Sequence, residues 1–260
     1  MIPTRRLRLL VVAATVLWRG ALGAQGPSVA EAVDAAERAR AALDAPTALA
    51  TLERALAVSP SDYALLWRAS REAADLGEAS TDARRRDALY AQADGWARRA
   101  VAANPRGADG QAMLAIALGR KALSVGIRDR VQYAGDVRAA ALAALALDPD
   151  HAAALHVLGV WHAEIMRLSG IARFAARTFL GGRVFETASW AEAQRLLERA
   201  VAVDPDRITH RLDLATIYRD TRQPARARAT CAAVARMPVR EYHDARYRAE
   251  CAALTASLRE

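Results

Sequence analysis

Again and again in this chain a helical run of small residues stops at a proline, and that recurrence limits which folds are open to it. The endings are Ala55-Leu-Ala-Val-Ser-Pro60, Ala100-Val-Ala-Ala-Asn-Pro105, Ala144-Leu-Ala-Leu-Asp-Pro149 and Ala200-Val-Ala-Val-Asp-Pro205, with a weaker fifth at Val234-Ala-Arg-Met-Pro238. A small Ala lets two helices approach closely. A proline cannot continue a helix interior, so it sets the turn into whatever follows. Of the 260 residues 53% are hydrophobic, largely Ala, and only 5% are aromatic. Small side chains of this kind suit closely packed helices better than sheets, where β-branched and aromatic residues are favoured.

The endings resemble those of the tetratricopeptide repeat, a helix–turn–helix unit of about 34 residues. The first unit, Val29 to Asp62, has that length and places Ala48, Ala55 and Pro60 at the small-residue and turn positions. Leu114-Ala115, Leu158-Gly159 and Leu214-Ala215 fall in one register after their prolines, where the repeat carries a Leu-Gly pair, and Tyr218 takes the aromatic position that follows. Ala69-Ser70 departs from the pattern, with Leu76-Gly77 at the end of that helix instead. The spacings between prolines are 45, 44, 56 and 33 residues. Two of these exceed the repeat by about 11 residues, close to three turns at 3.6 residues per turn, which lengthens a helix without rotating its buried face. Longer hairpins are therefore expected in the second and third units. In Thr81–Ala103 the stripe Leu89, Ala93, Trp96, Ala97, Ala100 and Val101 marks one such helix.

A narrower resemblance sits on top of this one. Leu66-Trp-Arg-Ala-Ser-Arg71, Ala97-Arg-Arg-Ala-Val101, Ala154-Leu-His-Val-Leu-Gly-Val-Trp-His162, Arg173-Phe-Ala-Ala-Arg-Thr-Phe179 and the helix beginning at Trp190 look like the regulator of microtubule dynamics family. The resemblance covers nearly all of residues 28–258. It implies a tetratricopeptide-like helical domain, with microtubules, organelle contact sites and phospholipids as the partners characterised in that family. An exported bacterial member is expected to share the fold rather than the microtubule partner, because shared folds host unrelated functions.

Export is read from the first segment. Met1–Arg8 is basic, Leu9–Trp18 is apolar, and Arg19-Gly-Ala-Leu-Gly-Ala follows, which is the layout of a secretory signal peptide over residues 1–24. Ten apolar residues are too few to span the bilayer core as a helix, which takes about 20. The expected location is periplasmic or secreted after cleavage; an uncleaved anchor is the other reading. This segment also accounts for much of the formal charge of +8: it holds four of the 37 basic residues and no acid, leaving 33 against 29. No block of clustered like charge reads as a nucleic-acid arm, so no nucleic-acid partner is expected.

Nothing in the chain spells out catalysis. There is no G-x-S-x-G, H-E-x-x-H, C-x-x-C or phosphate-loop motif. His156 and His162 are six apart, off the i,i+3 and i,i+4 spacings that share a helical face, and both read as structural. No metal, cofactor or enzymatic activity is expected. Cys231 and Cys251 sit on the second helix of the last repeat and on the terminal helix, seven before and thirteen after Pro238. They are either paired in an oxidising compartment or separately buried.

Two regions remain as candidate binding sites. Between Leu168 and Thr187 a short helix puts Ile171, Phe174 and Phe179 on one face with Arg173 and Arg177 beside it and Arg183 following. This insert covers the solenoid as core, walls an apolar cavity with Arg near an anionic head group, or lies at a lipid surface. The second region is the concave groove that stacked hairpins leave. Counted from each proline, its residues are Trp67, Arg71, Ile116, His156, Val160, Leu212, Thr216 and Arg219. That mixture suits a protein or peptide partner, with a lipid as the alternative. The sequence thus predicts an all-α superhelix, a tetratricopeptide-like solenoid with elongated hairpins and one helical insertion. Its repeats run over 29–62, 63–107, 108–151, 152–207 and 208–239, and a capping helix over 242–258. The expected role is a non-enzymatic scaffold, and the sequence sets no oligomeric state.

Overall fold

The computed structural model describes residues 28–122, 124–169 and 183–258, and every helix named below falls within them. The helices are α1 Val29–Ala41, α2 Ala45–Val58, α3 Tyr63–Ala79, α4 Ala83–Ala103, α5 Ala108–Ala122, α6 Ile127–Leu147, α7 Ala152–Arg167, α8 Trp190–Val203, α9 Ile208–Asp220, α10 Pro224–Val234 and α11 Asp244–Ser257. A single 3-10 turn, Arg183–Thr187, precedes α8, and no strand occurs among the described residues. The signal segment and the insert residues Ile171, Arg173, Phe174, Arg177 and Phe179 lie outside the described residues, as does the side chain of Arg183.

The recurring endings act as one device used four times. In each, the amide of the residue before Pro donates to the carbonyl of the recurrent Ala: Ser59 to Ala55, Asn104 to Ala100, Asp148 to Ala144 and Asp204 to Ala200, at 2.8 to 2.9 Å. The turn then closes the same way each time, Asp62 to Ser59, Gly107 to Asn104, His151 to Asp148 and Arg207 to Asp204. Ala100, Ala144 and Ala200 are fully buried, so the small side chain is what lets the next hairpin stack. Side-chain caps start the helices that follow: Asp62 accepts from the amide of Leu65, His151 from Ala154 and Ser189 from Glu192. Each such cap satisfies an amide that has no partner inside the helix.

The second and third hairpins are longer than the first. α4 and α6 each run 21 residues, against 14 for α2, so the excess of those two units entered the helices. The excess of the fourth lies between α7 and α8. In α4 the buried face is Tyr90, Ala93, Asp94, Ala97 and Ala100, while Leu89 and Trp96 sit at its edge. Asp94 is buried because it is paired, to Arg98 at 2.7 Å and to Lys121 of α5 at 2.9 Å. The chain's single lysine therefore ties one hairpin to the next.

Odd-numbered helices touch one another from unit to unit, α1 with α3, α3 with α5, α5 with α7 and α7 with α9, and so make the inner row of the superhelix, while α11 packs on α9 and α10. Helices α7 and α8 approach most closely at Gly159, where an added Cβ would fall 2.9 Å from Leu197 Cγ. The α1–α2 and α9–α10 hairpins close through Leu43 and Arg222, both in the left-handed region at φ 62° and 59°. In each, the next amide reaches back to close the helix end, Asp44 to Ala39 and Gln223 to Tyr218.

Candidate functional site

The inner-row residues picked out by the sequence fall into two groups. Trp67 and Ile116 are half-buried against the core of the first hairpins. The guanidinium of Arg68 lies 4.1 Å over the Trp67 ring and that of Arg71 5.2 Å from it. Arg71 is committed to carboxylates, donating to Glu37 at 2.9 Å and to Glu72 at 2.8 Å. Glu72 is fully buried, and desolvation holds its carboxyl above the usual range despite Arg40 and Arg71 beside it.

The second group gathers at the other end. His156 on α7 donates through Nε2 to Asp213 of α9 at 2.6 Å, and its ring lies 4.7 Å from that of His210. Burial, with His156 and Arg207 nearby, depresses His210 to about 2, so it stays neutral. Leu212, Asp213, Thr216 and Arg219 on α9 face Glu250 and Leu254 on α11 across an open depression of about 380 Å³. Leu212 is buried, so it forms the floor rather than the rim, and Arg219 is paired with Asp220 at 2.8 Å. Val160 lies one turn past His156, half-buried. Asp213 is the residue here that the sequence reading missed. It falls eight positions past Pro205, off the offsets of seven and eleven that gave most of the groove residues.

A second depression, of about 400 Å³, opens between α6, α7 and α8 beside the end of the insert. Leu142, Leu145, Leu155, Leu158 and Leu196 line it, with Arg138, His162, Glu192 and Arg195. His162 accepts the amide of Ser189 on Nδ1 at 3.3 Å, and burial lowers its pKa. Phe185, the insert's one described phenylalanine, is buried with Leu155, Leu158, Trp161 and Ile165. At this residue the insert is core.

The capping helix does more than cover an open end. The segment leading into α11 reaches back to the start of the solenoid. Glu241 is paired with Arg40 of α1 at 2.5 Å and with Arg207. His243 Nε2 donates to the carbonyl of Asp75 at 2.9 Å, and Arg246 and Tyr247 both bond Glu78 of α3. The chain's own residues 241–247 thus meet Arg40, Asp75 and Glu78 at the C-terminal ends of α1 and α3. Cys231 and Cys251 are joined in a disulfide, which closes the loop that carries this segment.

No group of three or more His, Cys, Asp or Glu among the described residues is placed to hold a metal ion. No described helix is long and apolar enough to cross a membrane. The family model for regulator of microtubule dynamics protein 1-3 matches residues 29–259, the whole helical region. The chain belongs to that family. As a family member it shares its fold with a thermophilic tetratricopeptide protein of Thermus thermophilus, at 21% identity and a TM-score of 0.63, covering 86% of this chain and 97% of that one. It also matches PilF of Pseudomonas aeruginosa at 15% identity and a TM-score of 0.47, over 87% of this chain and 86% of that one. No curated protein matches the chain in sequence. The α-α superhelix is thus the family member's fold, and its likeness to the thermophilic tetratricopeptide protein is one of fold alone.

Proposed function

We propose that the protein is an exported, non-catalytic scaffold that holds a protein or peptide partner on its inner row. One observation carries this reading: Leu212, Thr216 and Arg219, predicted from register alone, converge with Asp213 on one open depression. An apolar floor with charged groups at its edge suits a peptide side chain plus its backbone. The paired cysteines support export, because disulfides persist in oxidising compartments. A photo-crosslinking amino acid placed at Thr216 tests the reading, with Arg84 on the outer row as the control position. A specific crosslinked protein at 216 and none at 84 is expected; equal labelling at both sites would defeat it.

A second reading is favoured by the leucine-lined depression beside the insert. Five leucines with Arg138 and Arg195 at the edge match an aliphatic body with an anionic head group. Native mass spectrometry of the purified protein separates the two. Co-purified lipid lost on Leu158→Asp would favour the apolar ligand, and its absence the scaffold.

A further inference from the structure

Helices α9 and α11 run parallel to each other. A tight turn at Arg222 sends α10 back along α9. Helix α10 is in turn antiparallel to α11, because Cys231 is joined to Cys251 while Arg228, earlier on α10, donates to the carbonyl of Leu258 at the end of α11. The depression between α9 and α11 therefore has two distinct ends. Asp213 and Glu250 are the charged lining residues nearest the start of their helices, so both carboxylates stand at one end, with Arg219 and Ser257 at the other. Between the ends, buried Leu212 and Leu254 make an apolar floor.

The lining accepts hydrogen bonds and has little left to donate. His156 takes Oδ2 of Asp213 at 2.6 Å, which leaves Oδ1 open among the described residues. The neighbour of Glu250 is Arg246, at 3.7 Å, too far for a hydrogen bond, and Arg246 is itself bonded to Glu78. The Thr216 hydroxyl donates to the carbonyl of Leu212 at 2.9 Å and that of Ser257 to Leu254 at 2.7 Å, so each offers lone pairs alone. Arg219, the cation among the described lining residues, donates twice to Oδ1 of Asp220, at 2.9 and 2.8 Å. Asp220 also holds Arg167, which reaches Glu164, so that end is a balanced set of two cations and two carboxylates. The charge left over in the depression is negative and lies at Asp213 and Glu250.

We propose that this depression takes an arginine side chain from a basic segment of the partner, with its guanidinium at Asp213 and Glu250 and its methylene stem on Leu212 and Leu254. The proposal rests on the reading that the depression is the partner surface, and names the chemistry of that partner. A guanidinium is a donor only, with five N–H groups in a planar fork that carboxylates on two facing helices accept together. Its stem packs along an apolar floor while the head stays at the wet rim. A lysine ammonium, a compact and strongly hydrated point charge, matches such a two-sided site less well. An acidic segment would meet two like charges there, although the chain as a whole carries a formal +8.

The test measures fluorescence anisotropy of the full chain with a labelled peptide, Gly-Ser-Leu-Arg-Leu-Arg-Leu-Ser-Gly, and with the same peptide carrying Gln or Glu in place of both Arg. The arginine peptide is expected to bind at least about tenfold more tightly than the glutamine peptide, and the glutamate peptide more weakly still. The double variant D213N, E250Q keeps the shape of both side chains and removes their charge. It should weaken the arginine peptide about tenfold and leave the glutamine peptide unchanged. E53Q, at an exposed carboxylate on α2, should alter neither. If the peptides bind wild type alike, or none binds, the depression does not select arginine and the proposal is overturned; a specific crosslink at Thr216 would still uphold the scaffold reading. An arginine preference that survives D213N, E250Q comes from elsewhere on the surface, which also overturns it. Failure of the scaffold reading shows separately, as equal labelling at positions 216 and 84. The peptide series on wild type keeps the test decisive should a variant fail to fold.

Discussion

The phenol of Tyr247 donates to Oε1 of Glu78 at 2.8 Å, joining residues 169 positions apart. Neither residue belongs to a repeat position, and the bond exists only because the superhelix curls far enough for its end to meet its beginning. A double-mutant cycle with Tyr247→Phe and Glu78→Gln measures this closure. Each single change is expected to cost about 1 kcal/mol, and the pair to show a coupling of roughly 0.5–3 kcal/mol. Urea unfolding of the four proteins gives the number. Additive losses would mean that the two ends do not meet in solution.

Gly159 and Gly95 make opposite predictions from one chemical change. A Cβ on Gly159 would lie 2.9 Å from Leu197 Cγ and 3.2 Å from the carbonyl of Ala193, between two packed helices. Gly159→Ala is therefore expected to cost about 1–3 kcal/mol by overpacking. Gly95 is exposed inside α4, with nothing within 4 Å of an added Cβ. Gly95→Ala should stabilise by up to about 1 kcal/mol through helix propensity. Thermal melts read both, at roughly 2–4 °C per kcal/mol for a chain of this size. Loss of stability on Gly95→Ala would show that the outer face of α4 is covered.

That contrast marks what could be read from the residues alone. Gly159 stood in a Leu-Gly pair at a fixed distance from its proline, so a local rule found it. The recurrent Ala and Pro, the long second and third hairpins and the inner-row register were legible for the same reason: each is set within about 45 residues of chain. Glu72, Asp75 and Glu241 were not. No repeat position singles them out, and only the curvature summed over five hairpins brings Glu241 to Arg40. Asp94 was missed because its partner Lys121 lies on the next repeat. His156 was placed in the groove, but its bond to Asp213 crosses a unit lengthened by the insert. Local periodicity fixes the fold; long-range charge pairing joins its two ends.

His210 sets an acid limit on stability. Its folded pKa, near 2, is far below the unfolded value of about 6.5, so the unfolded chain binds the proton first. Its neutral form thus contributes stability that is complete above about 6.5 and is lost as pH falls from there toward 2. His162, also lowered by burial, acts in the same direction. Between about pH 6.5 and 5.5 the slope is up to about 1.4 kcal/mol per pH unit for each such histidine. Unfolding free energies measured across this window should fall with acid in wild type and more gently in His210→Leu. An equal slope in the two proteins would show that His210 is protonated in the native state.

The Cys231–Cys251 bond closes a loop with a sequence separation of 20, and both residues are buried in the cluster of Ile208, Leu212, Ala215, Val234 and Leu254. Two contributions follow from that placement. Cross-linking a loop of this length restricts the unfolded chain by about 3 kcal/mol. The bond also holds α10 against α11 on either side of the connecting residues 235–243. Cys231→Ser with Cys251→Ser should therefore lower unfolding stability by about 2–4 kcal/mol. It should also raise hydrogen exchange in residues 239–247 more than in α7 or α8, because the segment joining α10 to α11 loses its fixed base. Mass analysis after alkylation of the unreduced wild-type protein must show no modified thiol for this comparison to apply. A double variant as stable as wild type, with unchanged exchange in residues 239–247, would place the stabilisation of this end in the Ile208–Leu254 packing alone.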